Sequence, residues 1–272
     1  MTRTTLIELI RTKQNYLCVG LDTDPGKVPG FLNRFPDPVF EFNKRIIDAT
    51  HAHCVAYKIN TAFYEVSGAK GWTSMQKTAD YIPSTHFKIA DAKRGDIGNT
   101  SSLYARAFFE TLSFDAVTVA PYMGEDSIRP FLEYKGKWTI LLGLTSNPGA
   151  ADFELQSHGG APLFESVLLK ASQWGTTENL MFVVGATQSD RIVRIRALTP
   201  DHFYLIPGVG AQGGSLPEIS EKALTMDCGL LVNASRTILY AGTGPDFAEK
   251  AAIIAAGYAD EMAGCLKKKA FI

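Results

Sequence analysis

The sequence predicts a single (β/α)8 TIM barrel of the α/β class, and three observations support this prediction. The chain has 272 residues, which is the usual length of one such barrel. Short apolar runs recur at intervals of roughly 25 to 45 residues, as the strands of βα units do. Polar residues end several of these runs. We therefore expect one barrel domain over residues 1–272, with a short helix before its first strand.

Eight strands are predicted from runs that are rich in β-branched and apolar residues. The apolar residues are continuous rather than alternating, which indicates burial on both faces and therefore a parallel sheet covered by helices. The predicted strands are Leu17–Asp22, Cys54–Asn60, Phe87–Lys93, Ala116–Tyr122, Trp138–Leu144, Leu180–Thr187, His202–Val209 and Gly229–Arg236.

Helix starts between the strands are marked by capping residues. Asp37 followed by Pro38 predicts an N-cap and the first helical residue. Similar signals occur at Ser189–Asp190 and at Asp246, which precedes an Ala- and Ile-rich final helix. The helix after Pro38 is expected to bury one apolar face, formed by Phe42, Ile46 and Ile47.

Eight such units could also form an open, doubly wound sheet, and the polar residues decide between the two folds. Residues at the carboxyl ends of the predicted strands are spread around the whole strand order. In a barrel these ends converge on one mouth, whereas in an open sheet only those at the switch point meet. The residues concerned are Asp22, Lys58, Asp91, Lys93 and Arg236.

The composition is typical of a soluble globular protein, with 46% hydrophobic and 20% charged residues. A formal net charge of −1 gives no electrostatic reason to expect nucleic acid or an anionic membrane surface as a partner. We expect neither a secretion signal nor a membrane span, because no segment is a long apolar stretch. The cysteines lack metal-ligand spacing and fit reduced thiols in a cytoplasmic protein: Cys18, Cys54, Cys228 and Cys265.

The strongest local signal is the segment from Asp91 to Thr100, with the sequence Asp-Ala-Lys-Arg-Gly-Asp-Ile-Gly-Asn-Thr. Side chains two apart on a strand share a face, so Asp91 and Lys93 are expected to point to the barrel mouth. Asp96 follows in the next loop, and Lys58 on the neighbouring strand can join them. The predicted result is an alternating chain of four charges in a confined site.

Two ordinary explanations compete with an active site at this segment. The charges could be solvated on a loop, or they could form a structural ion-pair network at the barrel rim. For a single Asp-x-Lys we would prefer these explanations. Four such residues on convergent strand ends favour catalysis instead, because this face of the fold carries its active sites.

A glycine-rich stretch after the seventh strand is the second signal, with the sequence Ile-Pro-Gly-Val-Gly-Ala-Gln-Gly-Gly over residues 206–214. Glycines let backbone N–H groups approach an anion, and the loops after strands seven and eight are the usual phosphate site of such barrels. Arg236 can hold a phosphate through two parallel hydrogen bonds. Gln212 could bridge the phosphate and the rest of a ligand, or it could be an ordinary polar loop residue.

Two further polar residues have two open interpretations each. Ser146 could bind an imide-like ring edge, or it could be an ordinary cap before a turn. Asp22 could accept hydrogen bonds from sugar hydroxyls, or it could cap a helix. The histidines, including the pair His51 and His53, lie before strands or in a loop, so no histidine-rich metal centre is expected at the mouth.

At this point the sequence resembles the orotidine 5'-monophosphate decarboxylase family, in its longer bacterial form. The Asp-x-Lys-x-x-Asp motif is the most specific part, and the motifs occur in order across nearly the whole barrel. One departure is Ser235, which stands where the shorter forms often have glycine and leaves Arg236 in place. The matching segments are Gly20–Asp22, Tyr57–Asn60, Asp91–Ile97, Leu144–Pro148, Pro207–Gly214 and Asn233–Arg236.

The resemblance implies catalytic roles for four residues. Lys93 would protonate the ring carbon that loses carbon dioxide, while Asp91 would lie beside the departing carboxylate. Lys58 would complete the charge network. Asp96, together with Thr100, would reach into the site of a second subunit, which implies a homodimer.

The resemblance also implies the substrate contacts of a nucleotide. Asp22 would contact ribose, and Arg236 would contact the phosphate. Ser146 and Gln212 would contact the pyrimidine and the phosphate. Pro207 and Ser235, which flank the two predicted phosphate loops, complete the expected substrate-binding set.

The chemistry expected at this site needs no cofactor or metal. Loss of carbon dioxide leaves a carbanion whose lone pair lies in the ring plane, so its stabilisation must be electrostatic, and a fixed ammonium can supply it. Three alternatives remain open: a Schiff-base aldolase, a metal-dependent sugar-phosphate decarboxylase of the same superfamily, and a catalytically silent nucleotide-binding barrel. Two flanking aspartates disfavour the aldolase, because its lysine must be neutral.

Overall fold

The computed structural model describes residues 1–210 and 213–272, without the side chain of His158, and it confirms the predicted barrel. Eight parallel strands close into a cylinder in which each strand pairs with its two neighbours in chain order, and the last strand returns to the first. The strands are β1 Leu17–Gly20, β2 Ala56–Asn60, β3 Phe87–Arg94, β4 Ala116–Val119, β5 Trp138–Leu144, β6 Leu180–Val184, β7 Phe203–Pro207 and β8 Leu230–Ala234.

Helices connect successive strands and cover the barrel. A short antiparallel pair, Ser157–His158 with Ala161–Pro162, lies between β5 and the next helix, outside the barrel sheet. The helices are α1 Arg3–Lys13, α2 Pro38–Thr50, α3 Ala62–Glu65, α4 Gly68–Tyr81, α5 Gly98–Arg106, α6 Glu125–Leu132, α7 Leu163–Trp174, α8 Ser189–Leu198, α9 Leu216–Ala223, α10 Arg236–Leu239 and α11 Phe247–Lys268. The first of them is the N-terminal helix expected before β1.

Several strands end earlier than the apolar runs predicted. Leu21, Ala186 and Val209 are buried although they lie beyond the ends of β1, β6 and β7. Hydropathy reports burial rather than strand pairing. Buried loop residues therefore make the apolar runs in the sequence longer than the strands themselves. The early ends place polar residues in the loops at the mouth.

Helix α2 begins as the sequence predicts. The Asp37 carboxylate accepts a hydrogen bond from the N–H of Phe40, and Pro38 is the first helical residue. Phe42 is buried and stacks on Phe247 of α11, with ring centroids 4.9 Å apart, so α2 and α11 pack together. Asp246 is the N-cap residue of α11, as predicted, whereas Ser189 is already the first residue of α8. No side-chain cap bond forms at either helix, and Asp246 pairs with Lys250 instead.

Strand β3 is irregular where it reaches the mouth. Its pairing with β4 runs from Ala90 opposite Val117 to Arg94 opposite Val119, so three residues of β3 face the single residue Thr118. The bulge lies at the Asp-x-Lys pair, and bulges of this kind re-aim side chains next to active sites. No helix among the described residues has the length and apolar character that crossing a membrane requires.

Candidate active site

A cavity of about 510 Å³ opens at the carboxyl ends of the strands. Its lining includes both charged residues and the apolar side chains of Leu142, Val183 and Leu205. The predicted site residues that line the cavity are Asp22, Lys58, Asp91, Lys93, Ser146, Pro207, Ser235 and Arg236. The barrel therefore brings together residues from strand ends that are far apart in sequence.

The charged residues form an alternating chain, as the sequence predicts, although one of the four residues in it is not the predicted one. Lys58 Nζ lies 3.0 Å from Asp22 Oδ1 and 3.0 Å from Asp91 Oδ2. Lys93 Nζ lies 2.5 Å from Asp91 Oδ1. Lys58 is only 3% exposed, whereas the Lys93 side chain is 49% exposed, so the chain runs from a buried ammonium to one that reaches the cavity.

The pairing fixes the charge of the two central members. Burial by itself would lower the pKa of Lys58, but the carboxylates of Asp22 and Asp91 outweigh it and raise the pKa above its ordinary value. Burial would likewise raise the pKa of Asp91, but Lys58 and Lys93 outweigh it and lower that pKa below its usual range. Both groups therefore stay ionised at neutral pH.

Asp22, rather than Asp96, is the second carboxylate of the chain within one subunit. Its two oxygens accept hydrogen bonds from Lys58 Nζ at 3.0 Å and from the Ser235 hydroxyl at 2.8 Å. The interpretation of Asp22 as a helix cap is wrong, because Asp24 makes the capping bond of the turn that follows, to the N–H of Gly26. The short β1 leaves Asp22 on the loop where it faces both β2 and β8.

Asp96 and Thr100 do not line the cavity. The carboxylate of Asp96 accepts a hydrogen bond from the N–H of Ile97 at 2.8 Å, and within the described part of the chain it has no ion pair with a lysine. Thr100 is exposed on α5. Asp96 lies in the loop between β3 and α5, and Thr100 lies on α5, so a single subunit gives neither of them a place in the cavity.

The glycine-rich loop after β7 has backbone conformations that favour glycine. Gly208, Gly210 and Gly213 have φ values of 97°, 72° and 87°. Arg236 is the first residue of α10, which follows the adjacent strand β8. Its exposed guanidinium has no hydrogen-bond or ion-pair partner among residues 1–210 and 213–272. Gln212 lies outside the described residues.

Ser146 lies in a loop that several contacts hold in place. Glu154 accepts hydrogen bonds from the Thr145 N–H at 2.7 Å and from its hydroxyl at 2.8 Å. A Cβ atom at Gly185 would lie 2.7 Å from the Ser146 nitrogen, so this close packing requires glycine. The turn after Ser146 has Asn147 at its cap position, which argues against a cap role for the serine.

Thr118 and Asn233 are site residues that the sequence reasoning missed. Thr118 is 1% exposed and donates a hydrogen bond to Asp91 Oδ1 at 3.0 Å. Asn233 lines the cavity and donates to the Ser235 hydroxyl at 3.2 Å. The available signal was a polar residue inside an apolar strand, since both lie in runs that are otherwise almost entirely hydrophobic.

Four histidines lie before strand starts, as the sequence places them, away from the mouth: His51, His53, His86 and His202. His51 and His53 form a short turn at the end of α2, and His86 is buried just before β3. In the described ranges, no three His, Cys, Asp or Glu side chains gather closely enough to hold a metal ion together.

The fold and this site define a class: a (β/α)8-barrel enzyme whose mouth holds paired, buried charges beside a glycine-rich loop. Residues 15–251 match the model of the orotidine 5'-phosphate decarboxylase / HUMPS family, and the chain belongs to that family. The family that the sequence motifs indicated is therefore confirmed.

Individual relatives agree with this assignment over nearly the whole chain. The chain is 53% identical over 271 residues to an orotidine 5'-phosphate decarboxylase from Bacteroides fragilis, covering 98% of this chain and 99% of the relative. It is 54% identical over 272 residues to one from Flavobacterium johnsoniae, covering 99% and 100%. Among solved structures, the OMP decarboxylase of Leishmania donovani is similar with a TM-score of 0.82 and 34% identity, covering 97% of this chain and 99% of that one.

Proposed function

We propose that this protein is a carboxy-lyase that converts orotidine 5'-monophosphate to uridine 5'-monophosphate in de novo pyrimidine biosynthesis. The observation that carries the proposal is the Lys93 ammonium, held 2.5 Å from Asp91 at the edge of a cavity that Arg236 also lines. Two further observations support it: the chain belongs to the family, and relatives named orotidine 5'-phosphate decarboxylase align with nearly the whole chain.

The Lys93 ammonium supplies both the charge and the proton that the reaction needs. The bond between the ring carbon and the carboxyl carbon breaks, carbon dioxide leaves, and the electron pair stays on the ring carbon. That pair lies in the ring plane and cannot delocalise, so a nearby positive charge must stabilise it. Lys93 then transfers its proton to the carbon, and the neutral amine regains a proton from solvent.

Lys58 and Asp91 prepare this ammonium before the substrate arrives. Asp91 holds Lys93 through one oxygen, and Lys58 holds Asp91 through the other. An electrostatic site that is already oriented does not have to reorganise during the reaction, which is where most of its catalytic effect arises. By similarity to the family, Asp91 would lie beside the departing carboxylate of the substrate.

The substrate spans the cavity from the charge chain to the glycine-rich loop. Arg236 binds the phosphate through two parallel hydrogen bonds, and the backbone beside Pro207 approaches it closely. Ser146 and Gln212 bind the pyrimidine and the phosphate, while Asp22 and Ser235 face the ribose. Phosphate binding far from the reacting carbon contributes binding energy that can close the site and exclude water.

We further propose a homodimer in which Asp96 and Thr100 enter the partner's site. Large apolar side chains surround this region although they are exposed in one subunit: Ile97 58%, Leu103 47%, Tyr122 89% and Met123 43%. Exposed apolar patches of this kind mark interfaces. Specific activity should fall on dilution in parallel with dissociation seen by analytical ultracentrifugation, and a monomer with full activity would contradict the dimer.

The proposed location is the cytoplasm. All four cysteines are free thiols, and three of them, Cys18, Cys54 and Cys228, are buried. Free thiols fit a reducing compartment.

The ultraviolet absorbance of orotidine 5'-monophosphate, followed with purified protein and excess chelator, tests the function. Conversion that is unaffected by chelator is expected. Activity that disappears with chelator would favour the metal-dependent sugar-phosphate decarboxylase, and binding without carbon dioxide release would indicate a silent nucleotide-binding barrel. Borohydride trapping of a substrate on Lys93 would favour the aldolase.

A further inference from the structure

Thr118 is a buried polar residue inside an otherwise apolar strand. It is 1% exposed in β4, between Val117 and Val119, which are also buried. A buried hydroxyl needs hydrogen-bond partners, because an unpaired one has lost its hydrogen bonds to water without replacing them. The two partners of this hydroxyl belong to Lys93 and Asp91, which are site residues of β3. A barrel strand does not need such contacts in order to form.

The hydroxyl accepts one hydrogen bond and donates another. The backbone N–H of Lys93 donates to Thr118 Oγ1 at 2.9 Å, and Thr118 Oγ1 donates to Asp91 Oδ1 at 3.0 Å. The same carboxylate oxygen accepts from Lys93 Nζ at 2.5 Å. The three groups therefore form a closed ring that starts and ends on Lys93.

The ring holds Lys93 in a backbone conformation that a lysine rarely adopts. Its φ is 47°, in the left-handed region, where a Cβ atom comes too close to the following carbonyl oxygen. The β3 bulge removes Lys93 from the regular pairing with β4, so its N–H has no strand carbonyl opposite. The Thr118 hydroxyl takes the place of that carbonyl.

The ring also fixes the Asp91 carboxylate. Oδ1 accepts from Thr118 and Lys93, while Oδ2 accepts from Lys58. Without the hydroxyl, rotation of the carboxylate and relaxation of the left-handed residue would each move the Lys93 ammonium. A displacement of about 1 Å at a reacting group can cost about 100-fold in rate.

We propose that Thr118 is a positioning residue that sets the place of the Lys93 ammonium through its backbone and through Asp91. The role rests on the proposed decarboxylase function. Thr118 does not line the cavity, so it acts through these two residues and not on the substrate. Its effect should therefore appear in kcat far more than in KM.

The decisive variants are Thr118→Val, which keeps the shape and removes the hydroxyl, and Thr118→Ser, which keeps the hydroxyl. Thr139→Val is the matched control. Thr139 is fully buried on the neighbouring strand β5, lies opposite Val117, and its hydroxyl has no partner among the described residues. Both Val variants remove a buried hydroxyl from the barrel, but only one of these hydroxyls contacts the site.

Thr118→Val should lower kcat by about 10- to 100-fold and change KM and the affinity for uridine 5'-monophosphate by less than about 3-fold. Thr118→Ser and Thr139→Val should keep kcat within about 3-fold of the unmodified protein. Equal losses in both Val variants, or a kcat for Thr118→Val within about 2-fold of the unmodified protein, would overturn the role. If Thr118→Val does not fold, Thr118→Ala replaces it in the same comparison.

Amide hydrogen exchange at Lys93 separates this role from the proposed function. The Lys93 N–H should exchange at least about 10-fold faster in Thr118→Val and unchanged in Thr139→Val, whether or not the protein decarboxylates its substrate. Unchanged exchange in Thr118→Val would overturn the positioning role alone. If the unmodified protein releases no carbon dioxide, but Lys93 N–H exchange is still faster in Thr118→Val than in Thr139→Val, the proposed function is overturned. The contact between Thr118 and the Lys93 backbone would then remain established.

Discussion

Two cations at the mouth of the barrel are paired differently from two cations at the opposite end, Lys13 and Arg196. At the mouth, Lys58 and Lys93 donate to the carboxylates of Asp22 and Asp91. At the opposite end, Lys13 donates to the backbone carbonyls of His51 at 2.5 Å and Cys54 at 2.9 Å.

Arg196 repeats the carbonyl pattern at the opposite end. It donates to carbonyl oxygens before β7 and β8, including those of His202 at 2.6 Å and Gly229 at 3.1 Å, and it stacks over the Tyr204 ring at 3.7 Å. Burial lowers the pKa of Lys13 and of Arg196, whereas the carboxylates raise the pKa of Lys58 in spite of its burial.

The difference distinguishes cations of a catalytic site from cations that only stabilise the fold. A carbonyl partner satisfies hydrogen bonds and leaves the cation with no fixed anion beside it. A carboxylate partner keeps the charge on both groups and concentrates it next to the cavity, where it can act on a substrate. The mouth and the opposite end should therefore respond differently to the loss of a cation.

The largest expected effect is on turnover at the mouth. Lys93→Ala should lower kcat by at least about 1,000-fold, because the proton donor and its charge are lost, while nucleotide binding stays largely intact. Steady-state kinetics and calorimetric titration with uridine 5'-monophosphate measure the two effects.

The matched control at the opposite end is Lys13→Met. It should keep kcat and lower the free energy of unfolding by about 1–3 kcal/mol, because two carbonyls lose their donor. Unchanged turnover in Lys93→Ala would remove the proposed proton donor and with it the contrast between the two ends.

Lys58→Met should have the largest effect on stability. It leaves two partly buried carboxylates without their shared cation, which should lower the free energy of unfolding by about 3–5 kcal/mol at pH 7. The loss should shrink at pH 4, because without Lys58 the pKa of Asp91 rises and protonation of its carboxylate relieves the unpaired charge. Urea denaturation at the two pH values checks this, and a loss that is independent of pH would show that packing, not charge, dominates at this position.

Arg196→Met should lower stability without affecting catalysis. Several carbonyls lose their donor, so the free energy of unfolding should fall by about 2–3 kcal/mol. The kcat should stay within about 2-fold of the unmodified protein, since nothing at the mouth changes. Guanidinium denaturation and steady-state kinetics on one preparation give both values, and a large loss of kcat with normal stability would contradict a purely structural role.

The smallest expected effect is a loss of stability in acid. Burial lowers the pKa of His202 to about 4, helped by Arg196 and Arg3, and burial lowers the pKa of His86 to about 4 as well. The ordinary pKa is higher, so between about pH 6.5 and pH 4 the unfolded chain binds protons that the folded chain does not. Stability should be complete above this window and fall as the pH is lowered through it.

His202→Phe tests this effect with one residue. The ring nitrogens of His202 have no hydrogen-bond partner in the described part of the chain, and the ring already packs on Phe182 with centroids 5.2 Å apart. The loss of unfolding free energy between pH 7 and pH 5 should be about 1–2 kcal/mol smaller in the variant. An identical pH dependence in the two proteins would show that His202 does not contribute.

The sequence was sufficient to predict the barrel and most of the site. Local apolar runs set the number and order of the strands, and polar residues at their ends identified Lys58, Asp91 and Lys93 as neighbours. The same reasoning placed Asp22, Ser235 and Arg236 at strand ends, while their roles in substrate binding stay predictions from the family motifs. These predictions succeed because strand pairing in a barrel follows chain order, so the position of a residue along its strand determines which end of the barrel it reaches.

The sequence by itself determined the fold and the types of charge at the mouth. Only the tertiary structure decided which groups touch: Asp22 and not Asp96 pairs with Lys58 inside one subunit, and Thr118 opposes the bulge that turns Lys93. These outcomes depend on where β1 ends and on the register between β3 and β4, which set distances of a few ångströms. Periodicity reports burial and direction along one strand, whereas contacts between strands arise only when the whole cylinder closes.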